Sequence, residues 1–373
     1  RLLYAIRFGS DQILFSNRVN SNSQILYDRS PKERVAKVAP YLTLDGRVYP
    51  AVVDGRVKWI VDGYTTSDAY PYSQMTDLGE ATKDSTTESS DTVSSLNSKN
   101  ANYIRNSVKA TVDAYDGSVD LYVWDQSDPV IKAWEKIFPG QYHQLSDISG
   151  DLMSHMRYPE SLFKVQREVL GRYHTENANS WFHQTDIWQV PNDPVSGENK
   201  KEPPYFLSIK WPGDQSPQFS QTSVFVPKNR QNLASYLSVN AEATSPDFGK
   251  LRVLRMSDTH QIDGPGQTFN AMTTDPKVAN LLRDYTNQGS ADVRYGNLLT
   301  LPVGGGLLYV QPLYTVRTAS AGSYPALTFV VVRFGQHVGI GATLQAALDQ
   351  VFQGDAGADT RENPDGSSTT TPG

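Results

Sequence analysis

Apolar and polar residues alternate most regularly over residues 41–73, YLTLDGRVYPAVVDGRVKWIVDGYTTSDAYPYS, and the other elements are read outward from this stretch. Asp45-Gly46 and Asp54-Gly55 sit between alternating runs, and Asp62-Gly63 follows them. Asp-Gly favours a type I′ hairpin turn, because both central residues must take positive φ. A turn at Asp54-Gly55 pairs Val53 with Arg56, Val52 with Val57 and Pro50 with Trp59, and it places Val57, Trp59 and Val61 on one face. Pro50 has no N–H for a ladder, which predicts an edge or a bulge there. The stretch reads as a three-stranded meander with one irregularity.

Upstream, Leu2, Leu3, Ala5 and Ile6 read as the end of a connecting helix. Ser30-Pro31-Lys32-Glu33 is a capping box with Pro at the first helical position, and predicts a helix to Val38 stopped by Pro40. Residues 83–100 are rich in Ser and Thr and read as a surface loop with a short helix inside. In 108–124, Val108, Ala110, Val112 and Ala114 alternate with polar partners, and Asp116-Gly117 turns the chain. Val119, Leu121 and Val123 then return on the apolar face. Asp128 and Pro129 open a helix carrying Val130, Ile131, Trp134, Ile137 and Phe138. A second helix covers 159–173, with Leu162, Val165, Val169 and Tyr173 on one face. Glu160–Lys164 and Glu168–Arg172 form i,i+4 pairs on its outside.

Residues 189–204, QVPNDPVSGENKKEPP, read as a linker. Beyond it the chain is β-rich: Tyr205, Leu207, Ile209 and Trp211 alternate, and further strand-like runs cover 219–226, 234–240 and 251–256. Asp275-Pro276 opens a helix to about Tyr285. Residues 298–303 and 307–316 form a hairpin across Gly304, Gly305 and Gly306, 326–334 is a buried strand, and 343–352 is a closing helix capped by Gly354. The tail from Asp355 is polar and reads as disordered. Hairpins interspersed with helices, without regular βαβ alternation, predict an α+β fold in two lobes. Residues 1–190 form a hairpin-rich lobe followed by a helical segment, 203–353 a β-rich lobe with its closing helix, and 354–373 the tail.

Candidate chemistry is sparse. A two-residue turn at Asp116-Gly117 sets Asp113 opposite Asp120, and like charges opposed on a sheet are unfavourable. A bound cation such as Ca²⁺ would relieve them, as would a neighbouring Lys or Arg, or plain solvation. Ser257, Asp258, His260 and Asp263 follow a strand and supply the parts of a hydrolase triad. Residues so close in sequence seldom form one, and G-x-S-x-G is absent. His143, His155, His174, His183, His260 and His337 contain no H-E-x-x-H. Gly-rich pieces at 264–266, 304–306 and 335–341 lack GK[ST] and read as turns and caps rather than phosphate cradles. Trp59, Tyr64, Tyr70 and Tyr72, gathered around Pro71, have two readings. They pack the junction between meander and loop, or they form a stacking platform for a glycan or a partner protein.

The chain has 34 Lys and Arg against 40 Asp and Glu, a formal charge of −6 and no cysteine. An acidic balance argues against a nucleic-acid partner, which needs a basic stripe. The lack of cysteine removes disulfides, thiol catalysis and cysteine-bound zinc. No run approaches the ~20 apolar residues of a membrane helix. The chain begins at Arg1 without a signal peptide, so it reads as a piece of something longer with any membrane attachment upstream.

Several stretches together resemble one family. They are SNSQILYDRSPKERVAKVAPYLTLDG (21–46), VDGYTTSDAYPYS (61–73), YIRNSVKATVDAYDG (103–117), MSHMRYPESLFKVQREVL (153–170) and YGNLLTLPVGGGLLYVQPLY (295–314). The chain resembles the soluble part of uncharacterised protein family 0182. The resemblance implies a large bacterial multi-pass membrane protein with N-terminal transmembrane helices, and this part on the extracytoplasmic face of the cell membrane. The family brings no active-site residues. The expectation is a non-catalytic extracytoplasmic domain for interaction, sensing or assembly at the cell envelope, partnered by its own transmembrane region and by an envelope protein, glycan or lipid. The rival readings are an envelope hydrolase and a lipid- or glycan-handling domain.

Overall fold

The structure, a computed structural model, describes residues 1–352 except 24, 26, 198, 258, 260, 288–290 and 318–323. The expected tail, the Gly354 cap, Asp258 and His260 therefore lie outside the described residues. Two short helices, α1 (Leu2–Phe8) and α2 (Gln12–Phe15), precede α3 (Pro31–Val38). The Ser30 side chain accepts from the Glu33 N–H and Pro31 occupies the first turn, as the capping box predicts.

Strands β1 (Thr43–Leu44), β2 (Tyr49–Val53) and β3 (Arg56–Ser67) follow. Asp54 and Gly55 both take positive φ, at 49° and 76°. The register is the expected one, Val53 with Arg56, Val52 with Val57 and Pro50 with Trp59. The three strands are not a meander, however. β1 pairs further along the same edge of β3, with Leu44 opposite Gly63, so β1 and β2 lie end to end. That makes β2 an edge strand, where the missing N–H of Pro50 is tolerated. Asp62-Gly63 is not a turn but the interior of β3, next to a bulge between Gly63 and Tyr64. A Cβ at position 63 would lie 3.1 Å from Leu42 and 3.3 Å from Val108, so glycine permits that close layer.

A small ribbon of β4 (Thr76–Asp77) and β5 (Asn100–Ala101) flanks α4 (Leu78–Thr82) and α5 (Ser85–Ser89). The stretch 83–100 contains the expected short helix but is not a surface loop throughout: Asp84, Ser85, Val93 and Leu96 are buried. The main sheet then continues through β6 (Tyr103–Asp113), β7 (Val119–Val123) and β8 (Tyr142–His143), with β8 parallel to β7. Helix α6 (Pro129–Ile137) and α3 cover one face, around Val35, Val61, Val108, Ala110, Leu121 and Ile131. Helix α7 (Gly150–His155) covers the other, where Val53, Ile60, Tyr122, Leu152 and Met156 meet.

Helices α8 (Glu160–Tyr173) and α9 (Ala178–His183) lead to a second antiparallel sheet of β9 (Trp188–Gln189), β10 (Tyr205–Ile209), β11 (Gln218–Pro227), β12 (Ser235–Asn240) and β13 (Leu251–Arg255). Within 189–204, Val190, Asp193 and Glu202 are buried, and the Asp193 N–H bonds the Lys200 carbonyl at 2.7 Å. Helices α10 (Pro265–Thr274) and α11 (Pro276–Asn287) precede a third sheet of β14 (Ala291–Tyr295), β15 (Leu299–Val303), β16 (Gly306–Arg317), β17 (Ala326–Phe334) and β18 (His337–Gly341), and α12 (Leu344–Phe352) follows it. The pattern did not reveal α10, β14 or β18. Gly339 and Gly341 sit in β18 against α12, where a Cβ at 339 would come 2.2 Å from the Ala347 carbonyl.

The protein is thus α+β. One large apolar cluster joins Tyr64, Leu78, Phe163, Trp188, Phe225 and Leu237, linking the first sheet, α8 and the second sheet. Among the described residues no helix is long and apolar enough to cross a membrane.

Candidate binding cleft

Helix α8 presents two stripes, each built on the i, i+3, i+4 spacing of side chains that share a helix face. Glu160, Lys164 and Arg167 point into the protein, and all three are buried. Val165, Glu168, Val169, Arg172 and Tyr173 form the other stripe and line one wall of a cleft of about 850 Å³. The opposite wall is the strap of residues 70–77, and the floor includes Leu78, Ala81, Ala101 and Ile104. A cavity of this size with an apolar floor and a few polar groups is typical of small-molecule sites.

One side chain holds the strap. The Asn102 amide donates to the Tyr70 carbonyl at 2.8 Å and the Ser73 carbonyl at 3.3 Å, and its oxygen accepts from the Tyr70 N–H at 3.1 Å. From across the cleft, the Tyr173 hydroxyl donates to the Gln74 side chain at 2.9 Å. Tyr70 stacks on Tyr103, their rings 5.9 Å apart and 18° from parallel. Tyr72, at the crest, is fully exposed and takes φ 56°. Positive φ in a bulky residue is a strained choice that the surrounding contacts must enforce. The Tyr103 hydroxyl donates to Asp128 at 2.6 Å, and burial followed by that bond pushes its pKa up to about 12. Asp128 also caps α6 and accepts from Ser107 and Thr65; these donors outweigh burial and lower its pKa.

The charged groups on the walls are mostly engaged. Glu168 pairs with Lys201 at 3.0 Å, not with Arg172 as the i,i+4 spacing suggested. Arg105 pairs with Asp125 at 3.2 Å. Asp77 accepts from Ser98 at 2.6 Å and from the Glu80 N–H, and these bonds lower its pKa. Arg172 is exposed and has no ion partner among the described residues.

Behind α8 lies an ionic layer that the sequence placed on the surface. Lys164 bridges Asp84 at 2.6 Å and Glu160 at 2.9 Å, and Glu160 also takes Arg47 at 2.5 Å. Arg167 donates to the Glu202 carbonyl and the Ser223 hydroxyl at 3.0 and 3.1 Å. The pairs are inside because α8 is clamped between the ribbon region and the second sheet, and its most exposed residues are Val169, Arg172 and Tyr173.

Residues 1–285 match the sequence model of the Uncharacterised protein family (UPF0182). The chain belongs to UPF0182. It is 66% identical over 373 residues to a UPF0182 protein of Bifidobacterium adolescentis, covering 95% of this chain and 34% of that protein. A Bifidobacterium longum relative is 64% identical over 375 residues, covering 96% of this chain and 35% of that protein. One from Thermobifida fusca is 52% identical over 356 residues, covering 95% and 35% respectively. The chain thus spans about a third of the length of these UPF0182 relatives. No solved structure matches it.

Of the four aromatics singled out in this UPF0182 chain, the structure brings Tyr70 and Tyr72 to the cleft and takes the other two away from it. Tyr64 is fully buried with its hydroxyl on Asp45, and burial raises its pKa well above the usual range. Trp59 packs beside Val61 in the face covered by α3 and α6. Asp113 and Asp120 are not opposed: Asp120 faces Thr111, and Val119 faces Val112. The turn is longer than two residues because the Asp113 carboxylate accepts from the Tyr115 and Asp116 N–H groups, while Asp113 N–H bonds the Ser118 carbonyl. Asp113 itself is gripped by Arg56, and Asp120 lies 4.0 Å from Lys58 and 3.6 Å from His143. The opposed carboxylates that argued for Ca²⁺ are therefore absent, and among the described residues no group of three or more potential ligands could hold a metal.

In the proposed triad segment, Asp263 pairs with Arg333 at 2.6 Å and Ser257 with Thr259 at 2.7 Å. The sequence reading missed Asn102, Met75, Arg172 and the outward role of Val169 and Tyr173. An Asn beside an aromatic pair, and an apolar stripe ending in Arg-Tyr, were the local signals for them.

Proposed function

We propose that this UPF0182 chain is a non-catalytic ligand-binding domain that takes an amphipathic small molecule into the cleft between α8 and the strap. The observation that carries this reading is Tyr72, exposed and strained at the mouth of an apolar cavity, between Tyr70 and Ser73, the two residues that Asn102 clasps. An exposed aromatic in a strained backbone costs stability in the free protein, and a bound ligand recovers that cost by burying the ring. Met75, Val169 and Tyr173 are likewise large apolar groups left open to water along the same walls. The polar rim of Arg172, Lys201 and Gln74 suits the head of such a ligand. We further propose that the domain stands on the extracytoplasmic face of the cell membrane as part of a multi-pass protein. Support for this is the family resemblance and the further two-thirds of length in the relatives.

The test is titration with 1-anilinonaphthalene-8-sulfonate, an amphipathic probe. The protein binds it saturably, and Val169→Asp, a change at a half-exposed site, weakens binding at least about tenfold (about 1.4 kcal/mol), since the new carboxylate removes an apolar contact, repels the probe's sulfonate and pairs with Arg172 in its place. Equal binding by protein and variant, with equal thermal midpoints, removes the cleft as the site.

A further inference from the structure

Away from the cleft, a small void of about 10 Å³ lies between Glu202, Tyr205, Ser223, Tyr236 and Thr300. Three polar atoms at its wall are buried without a hydrogen-bond partner: Glu202 Oε2, the Tyr236 hydroxyl and Thr300 Oγ1. Ser223 accepts from Arg167, and Thr222, also on the wall, donates to the Tyr205 carbonyl and lies beside the Tyr236 hydroxyl. An unpaired buried polar atom is costly, and the void has the volume of about one water-sized sphere, the least that can hold a water.

We propose that Glu202, Tyr236 and Thr300 bind a single buried water molecule. The neighbouring buried carboxylates are each held. Asp84 and Glu160 pair with Lys164, Arg167 and Arg47, and Asp193 accepts from Ser85, Ser196 and two backbone N–H groups. Glu202 has no ion pair through its carboxylate, so it is the carboxyl that keeps a proton, and a neutral carboxyl suits a neutral occupant. Burial and then Asp193 push the Glu202 pKa up to about 8, against Arg167. The neutral carboxyl donates its O–H to the water, and the water's own hydrogens point to the two hydroxyl oxygens.

The inference is independent of the cleft and is tested by high-resolution crystal structures of the protein and of Thr300→Val, grown near pH 6. The expected result is one solvent peak within hydrogen-bond distance of all three atoms, lost or displaced in the variant. A dry void with Glu202 turned onto another protein atom overturns the proposal. So does a peak ringed by five or more oxygens at ion distances, which is a cation. Should Thr300→Val fail to fold, the map of the unaltered protein decides alone.

Discussion

Arg56 reaches Asp113 with two nitrogens, at 2.6 and 2.8 Å, and Asp116 with one, at 3.0 Å. A planar guanidinium matches a carboxylate in this bidentate way, and the fork fixes geometry as well as charge. The Arg56 bonds, aided by the turn N–H groups, hold the Asp113 carboxyl well below the usual range. A carboxylate with a lowered folded-state pKa contributes stability above its unfolded value, 3.8, and loses it as pH falls toward the folded value. Arg56→Ala therefore moves the Asp113 titration, followed by carboxyl NMR, up toward 3.8. An unchanged titration means the turn N–H groups alone set it. The like-charge conflict read from the sequence was a register error: a side chain that caps its own turn changes where the ladder begins, and alternation alone does not register that.

Helix α8 shows where pattern reading succeeds and where it stops. Periodicity correctly grouped Val165, Val169 and Tyr173, and the helix bounds follow from Pro159 and the apolar spacing. What it could not give is which stripe meets protein and which meets water. Glu160 and Lys164 have the spacing of a solvated i,i+4 pair, yet their side chains are 3% and 2% exposed. Two carboxylates share Lys164, so Lys164→Met leaves Asp84 and Glu160 buried beside fewer cations. The expected loss is about 3–5 kcal/mol of unfolding free energy, measured by urea denaturation. A loss under about 1 kcal/mol contradicts the buried layer, since that is the range of exposed pairs. By contrast, the hairpin at Asp54-Gly55 was legible to the residue, because its turn chemistry is local.

At the scale of the molecule, the cleft was half visible. Tyr70 and Tyr72 stood out as aromatics around Pro71, but their wall comes from α8, roughly a hundred residues away, and no local pattern links the two. Hairpins were foreseen in the first and third sheets and only separate strand-like runs in the second, whereas β18 was hidden because its glycines, which let α12 approach closely, look like a turn. On the proposed function, the cleft is where this UPF0182 protein takes its ligand. The most direct test places photoreactive p-benzoyl-phenylalanine at position 72, 169 or 115 of the full-length protein in intact cells, with mass spectrometry of the adducts. Tyr115 is the control, an exposed aromatic in the turn that follows Asp113. The account predicts one and the same amphipathic species attached at 72 and 169 and absent at 115. Equal labelling at all three positions, or none at 72 and 169, would contradict it.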